Sequence, residues 1–212
     1  MERTVLGVLA GGRSRRFGRS KLDLHIDGEP ILAWQARRLG GACGGRCWLS
    51  LSPGVTPPPG AGWYERWVRD DVRFGGPMVG IANLLRAGRR GQLVVVVPAD
   101  MPLIEPAYLT RLIQAISGDN GVAAVMGRGL DARGAGQVQP LPSVWQGGPD
   151  GGGTRLAQRA LAAGVAGPHR LAGWAGVTCI PADGWRDQFA NINHPGDTKL
   201  IERPLNKRVQ LS

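Results

Sequence analysis

The strongest periodic signals along the chain are short apolar runs separated by glycine- and proline-rich breaks. Thr4 to Ala10 is continuously apolar and stops at Gly11-Gly12, as a strand buried on both faces stops at a loop. Pro30 to Leu39 is amphipathic, with Pro at its start and Gly40-Gly41 at its end, and predicts a helix. Cys47–Leu51 and Trp63–Val68 predict two further strands around a Pro-rich loop. Pro77–Ala87 predicts a helix opening on Gly75-Gly76, and Leu93–Val97, uncharged and β-branched, predicts the centre of a sheet. A helix over Pro106–Ile116, a strand over Val122–Met126, an edge strand over Val138–Val144 broken by Pro140 and Pro142, a helix over Thr154–Ala163 and a last strand over Val177–Ile180 complete the pattern. Strands alternating with helices predict an α/β architecture, a doubly wound and mostly parallel Rossmann-like sheet. Its ligand belongs at the carboxyl ends of the strands, where the loops after Ala10, Val68 and Val97 converge. One domain over residues 1–212 fits this length, with no repeat and no linker-like boundary.

Composition adjusts this picture modestly. With 34 Gly and 16 Pro the chain approaches the roughly 25–30% range in which disorder is the default, and the apolar runs argue for a folded protein with generous loops. The net charge of +10 favours polyanionic partners. The arginines are scattered and form no dense stripe, which argues against nucleic acid; much of the charge reads as compositional drift, with phosphate attraction a secondary benefit. Only three residues are Lys: Lys21, Lys199 and Lys207. Three cysteines, Cys43, Cys47 and Cys179, lack zinc or redox spacing and read as free thiols. Val5–Ala10 is too short for an export signal, and Leu93–Ala99 falls far short of the ~20 apolar residues of a membrane span. The expectation is a soluble cytoplasmic protein without membrane or nucleic-acid partners. His25, His169 and His194 form no ligand cluster.

The chemistry concentrates in three segments. Leu9-Ala10-Gly11-Gly12 through Lys21 follows the first strand; its glycines allow close backbone approach to a triphosphate, and Arg16 and Lys21 supply cations. It is neither a Walker motif nor a dinucleotide fingerprint. Pro98-Ala99-Asp100-Met101-Pro102 places one acid between two prolines just past the central strand, where a carboxylate can hold magnesium or cap the following helix. Asp70-Asp71 ends the preceding strand and leads into Gly75-Gly76-Pro77-Met78-Val79-Gly80.

The segment L-A-G-G-x-S-x-R-F-G-x-x-K, followed by Gly28-Glu29-Pro30-Ile31-Leu32, resembles the opening signature of the molybdenum cofactor guanylyltransferases within the nucleotidyltransferase superfamily. Gly75–Gly80 is similar to that family's G-P-L-A-G element, and Asn191-Ile192-Asn193-His194-Pro195-Gly196-Asp197 to its N-[IV]-N-x-P-x-D element. The resemblance spans about Val5 to Asp197. It implies GMP transfer from GTP to the phosphate of the molybdenum-pterin cofactor, with Lys21, Arg16 and Asp100 catalytic and Asp100 the Mg2+ ligand. Leu9, Ala10, Gly11, Gly12, Ser50 or Ser52, and Asp70 in preference to Asp71 would bind the nucleotide, and Gln139, Asn191 and Asn193 would lie on the acceptor side. Cofactor-carrying or acceptor molybdoenzymes are the protein partners it implies. A cytidylyl- or sugar-phosphate nucleotidyltransferase, or a nucleotide-binding regulator without turnover, are the alternatives.

Overall fold

The computed structural model describes residues 3–11, 20–72, 75–118, 121–130 and 136–211. In chain order its elements are β1 (Thr4–Leu9), β2 (Leu24–Ile26), β3 (Glu29–Pro30), α1 (Ile31–Leu39), β4 (Cys47–Leu51), β5 (Arg66–Arg69), α2 (Pro77–Ala87), β6 (Leu93–Pro98), α3 (Pro106–Ser117), β7 (Ala124–Leu130), β8 (Gly136–Gln146), α4 (Gly152–Ala162), β9 (Val177–Pro181), α5 (Thr198–Leu205) and β10 (Val209–Leu211), linked in places by short 3-10 turns. The main sheet runs β5-β4-β1-β6-β8-β7-β9, and every pairing is parallel except the two made by β8.

The two faces of this sheet explain the uninterrupted apolar runs. Leu6, Val8, Val95 and Val97 point into a core shared with α1 and α3. Val5, Val94 and Val96 point into a second core shared with α2 and α4. Strands buried on both faces cannot alternate, so β1 and β6 read as solid blocks. Pro77 and Pro106 start α2 and α3 at positions where their missing N–H costs nothing.

Three expectations needed correction. The segment containing Pro140 and Pro142 is no edge strand: β8 lies inside the sheet between β6 and β7. The prolines are tolerated because β6 pairs only with Ser143–Gln146, whereas the β7 register covers Gly136–Gln139 and Val144–Trp145 with a bulge between Val125 and Gly127. Both prolines fall in the gap between these ladders, where no backbone N–H is needed. The strand expected from Trp63 starts only at Arg66, since Ala61–Trp63 forms a 3-10 turn. Finally, β10, β2 and β3 form a small antiparallel sheet that periodicity did not reveal. Asp27 stitches it by accepting from Arg208 N at 2.7 Å and from Lys207 Nζ at 2.5 Å, contacts that hold its carboxyl below the usual range.

Cys43, Cys47 and Cys179 are free. Burial pushes the Cys43 and Cys47 thiols up to about 12 and about 11, which keeps them protonated and unreactive. Among the described residues no helix is long and apolar enough to cross a membrane.

Candidate active site

The in-register strand ends create the site. Leu9 lies beside Ser50 on β4 and Pro98 on β6, and Ser50 lies beside Val68 on β5. The chain therefore leaves β1, β5 and β6 at one level, as the sequence predicted. A cavity of about 380 Å³ opens there, lined by Leu9, Ala10, Gly11, Lys21, Ser50, Asp70 and Asp100 together with Leu22, Gly75, Gly76, Pro77, Gly80, Pro98, Ala99 and Leu141. Gly12 and Arg16 lie outside the described residues.

Asp70 is the buried acid of this cavity, 8% exposed, and Ser50 Oγ donates to its Oδ1 at 2.8 Å. Burial raises its carboxyl pKa, while the Ser50 hydrogen bond pulls the other way. Asp71 is instead solvent-exposed and pairs with Arg86 at 2.7 Å, so of the two neighbours it is Asp70 that lines the cavity. Ser52, the alternative to Ser50, donates to the Gly11 carbonyl at 2.8 Å and steadies the loop after β1. Two glycines permit this crowding. A Cβ on Gly11 would stand 2.9 Å from Asp70 Oδ2, and one on Gly80 would stand 2.7 Å from Ser50 Oγ.

Asp100 sits in a loop gripped by α1. Gln35 Nε2 donates to the carbonyls of Pro98 at 2.9 Å and Met101 at 3.3 Å, so a buried amide brackets the acid. Trp34 Nε1 and Arg38 both donate to the Pro102 carbonyl. Sequence reasoning missed these three supports, because nothing in an amphipathic pattern distinguishes a buried Gln35 from a surface one. The loop so held presents Asp100 Oδ2 to Lys21 Nζ at 3.0 Å. Lys21 Nζ also donates to Asn193 Oδ1 at 2.8 Å.

The remaining expected residues divide. Asn193 is brought to the site, but against Lys21. Its segment is anchored by Ile192 N, which donates to the Asp100 carbonyl at 3.0 Å, and by Asp197 Oδ2, which accepts from Asn193 N and His194 N at 2.7 Å each. Those backbone amides hold the Asp197 carboxyl below its usual range. Asn191 is half-buried and does not line the cavity. Gln139 is also absent from the lining. It pairs with Gly127, whose missing Cβ would meet Tyr108 Oη and Ala182 on the α3 face. The bulge that accommodates the prolines shifts the alternation and turns Leu141 into the cavity in its place. Gly75, Gly76, Pro77 and Gly80 also line it, and the Gly-Pro-x-x-Gly spacing was their visible signal.

A buried acid, an ion pair and a glycine-permitted loop at parallel strand ends fit nucleotide chemistry, and comparison with known proteins decides the family. The MobA-like NTP transferase domain matches residues 6–183. The chain belongs to that family. A molybdenum cofactor guanylyltransferase from Cereibacter sphaeroides is 30% identical over 205 residues, covering 94% of this chain and 96% of the relative. A probable molybdenum cofactor guanylyltransferase from Thermococcus kodakarensis is 28% identical over 202 residues, covering 95% of this chain and 94% of the relative. Among solved structures, molybdopterin-guanine dinucleotide biosynthesis protein A from Archaeoglobus fulgidus superimposes with a TM-score of 0.73 at 21% identity, covering 95% of this chain and 98% of that one, a likeness of fold. As a member of the MobA-like family, the chain is a nucleotidyltransferase built on a mostly parallel sheet.

Proposed function

We propose that the chain transfers GMP from GTP to the phosphate of the molybdenum-pterin cofactor, releasing pyrophosphate and forming the guanine dinucleotide. The observation that carries this reading is the meeting of Asp70, Lys21 and Asp100 in one cavity, in a chain whose relatives bear the guanylyltransferase name.

Base choice follows from Asp70. An ionised carboxylate only accepts hydrogen bonds. The guanine edge offers two adjacent donors, N1–H and the 2-amino group, whereas adenine and cytosine place a ring acceptor beside their amino group. Ser50 supports the carboxylate on its other oxygen, a role that an acceptor-only side chain could not fill.

The residues fit a magnesium ion. Mg2+ is commonly held by one or two carboxylates plus phosphate oxygens and water. Among the described residues no group of three or more His, Cys, Asp or Glu is assembled; of the two carboxylates that line the cavity, Asp70 and Asp100, it is Asp100 that would hold the ion beside the triphosphate. Bound there, the ion would neutralise phosphate charge and orient the α-phosphorus. Lys21 binds phosphate oxygens as a fixed cation, and the α1-gripped loop keeps the acid in place. The acceptor phosphate is itself the nucleophile: its oxygen forms the new bond to the α-phosphorus as the bond to pyrophosphate breaks. The protein contributes positioning and electrostatics.

Thermal shift with GTP, CTP, ATP and UTP in magnesium tests the reading. Ligand at about a hundred times Kd adds about 2.7 kcal/mol, or a rise of roughly 5–10 °C for a chain this size. GTP is expected to give the largest shift, followed by pyrophosphate release when the pterin acceptor is added. A larger shift with CTP would transfer the assignment to the cytidylyltransferases.

A further inference from the structure

Lys21 and Asn193 are 172 residues apart in sequence and meet at 2.8 Å. A lysine side chain carries about 2 kcal/mol of rotamer entropy, so an unsupported Lys21 would spread its charge over many positions. Asp100 holds the ammonium from one side at 3.0 Å. We infer that Asn193 and Asp197 are positioning residues that hold the Lys21 ammonium from the other side, so that the phosphate grip is completed by the carboxyl-terminal segment. The inference rests on the reading that Lys21 meets the triphosphate.

The chemistry of the second holder matters. A second carboxylate at that place would cancel the lysine charge and repel a triphosphate. The amide oxygen of Asn193 orients the ammonium and leaves its charge intact. Asn193 is in turn fixed from both sides: the Ile192 side chain is fully buried and Ile192 N is bonded to the Asp100 carbonyl, while Asp197 ties down the amides of residues 193 and 194. Asp197 thus acts on Lys21 only through Asn193. The contact also redirects the expectation that Asn193 meets the acceptor, because its side-chain oxygen is committed to Lys21.

Three lysines make the test direct. In protein labelled with 15N-lysine, the Nζ signals of Lys21, Lys199 and Lys207 are assignable by single replacement. Asn193→Ala is expected to shift or broaden the Lys21 signal and leave that of Lys199 in place, with the ligand-free melting temperature unchanged within about 2 °C. Its KM for GTP with magnesium should rise about tenfold. Asp197→Ala should act alike, and Asp197→Asn, which keeps an acceptor oxygen, should restore both readouts. Asn193→Asp should keep the Lys21 signal ordered yet fail to restore GTP affinity. The double variant Lys21→Ala/Asn193→Ala should bind GTP no more weakly than Lys21→Ala alone. Losses that multiply in the double variant, or a Lys21 signal indifferent to Asn193→Ala, would overturn the inference. If Lys21→Ala alone leaves GTP affinity unchanged, the phosphate-binding reading fails, and the Nζ signal still decides whether Asn193 holds the ammonium.

Discussion

Asp100→Ala is expected to lower magnesium-dependent transfer by about a thousandfold or more, a loss of roughly 4 kcal/mol of transition-state stabilisation. The fold should barely notice. The Asp100–Lys21 pair is partly exposed, with side chains 27% and 18% accessible, and such pairs contribute about 0–1 kcal/mol. The backbone supports of the loop come from Gln35, Trp34 and Arg38 and do not involve the Asp100 side chain. Lys21 also keeps Asn193 as a partner. The melting temperature should therefore fall by no more than about 4 °C. Radiolabelled GTP turnover against a melting curve reads both quantities, and preserved turnover would remove Asp100 from the mechanism.

The second large effect is expected at Asp70, where function and stability should move in opposite directions. Asp70→Asn replaces one acceptor oxygen with a donor at the place where the proposed function puts the guanine edge. Discrimination between GTP and the other triphosphates should fall by about 1–3 kcal/mol, or roughly fivefold to 150-fold. The ligand-free protein should be as stable as the parent or more so at about pH 7, because burial raises the pKa of the Asp70 carboxyl and the ionised form therefore costs stability. The sign follows from linkage. A carboxyl whose folded pKa is raised binds its proton more tightly in the folded state, so the cost is full above that pKa and is relieved as pH falls towards the ordinary value of 3.8. The stability advantage of Asp70→Asn should accordingly shrink to nothing as pH approaches about 4. Ser50 can donate to the amide oxygen as it does to the carboxylate, so the Ser50 hydroxyl keeps its acceptor. A variant less stable than the parent at every pH, or one with unchanged nucleotide preference, would contradict this account.

Much of this site was legible because its parts are local. β1, β4 and β6 are solid apolar blocks, and the loops that follow β1 and β6 carry Gly11 and Asp100 within two residues of the last strand residue. Parallel pairing then brings them together without further information. Contacts that depend on distant segments were not legible. The small sheet rests on strands of two or three residues, too short for periodicity, and on Asp27 meeting Lys207 across 180 residues. The internal position of β8 was hidden by Pro140 and Pro142, whose usual meaning holds for a paired stretch and lapses in the gap between two ladders. Gln139 was placed by motif likeness, and the same bulge set it on the other face of the sheet.

The pairing of β10 with β2 bears on how the protein is made. Leu24–Ile26 leaves the ribosome early, directly behind the segment that ends at Lys21, yet its hydrogen-bonded neighbour Val209–Leu211 follows more than 180 residues later. A nascent chain can stack β1, β4 and β6 well before Val209–Leu211 emerges, but the stretch behind Lys21 gains its partner strand only then. Chains that stop short of Val209 would then carry a formed main sheet and leave the stretch behind Lys21 without the strand that holds it.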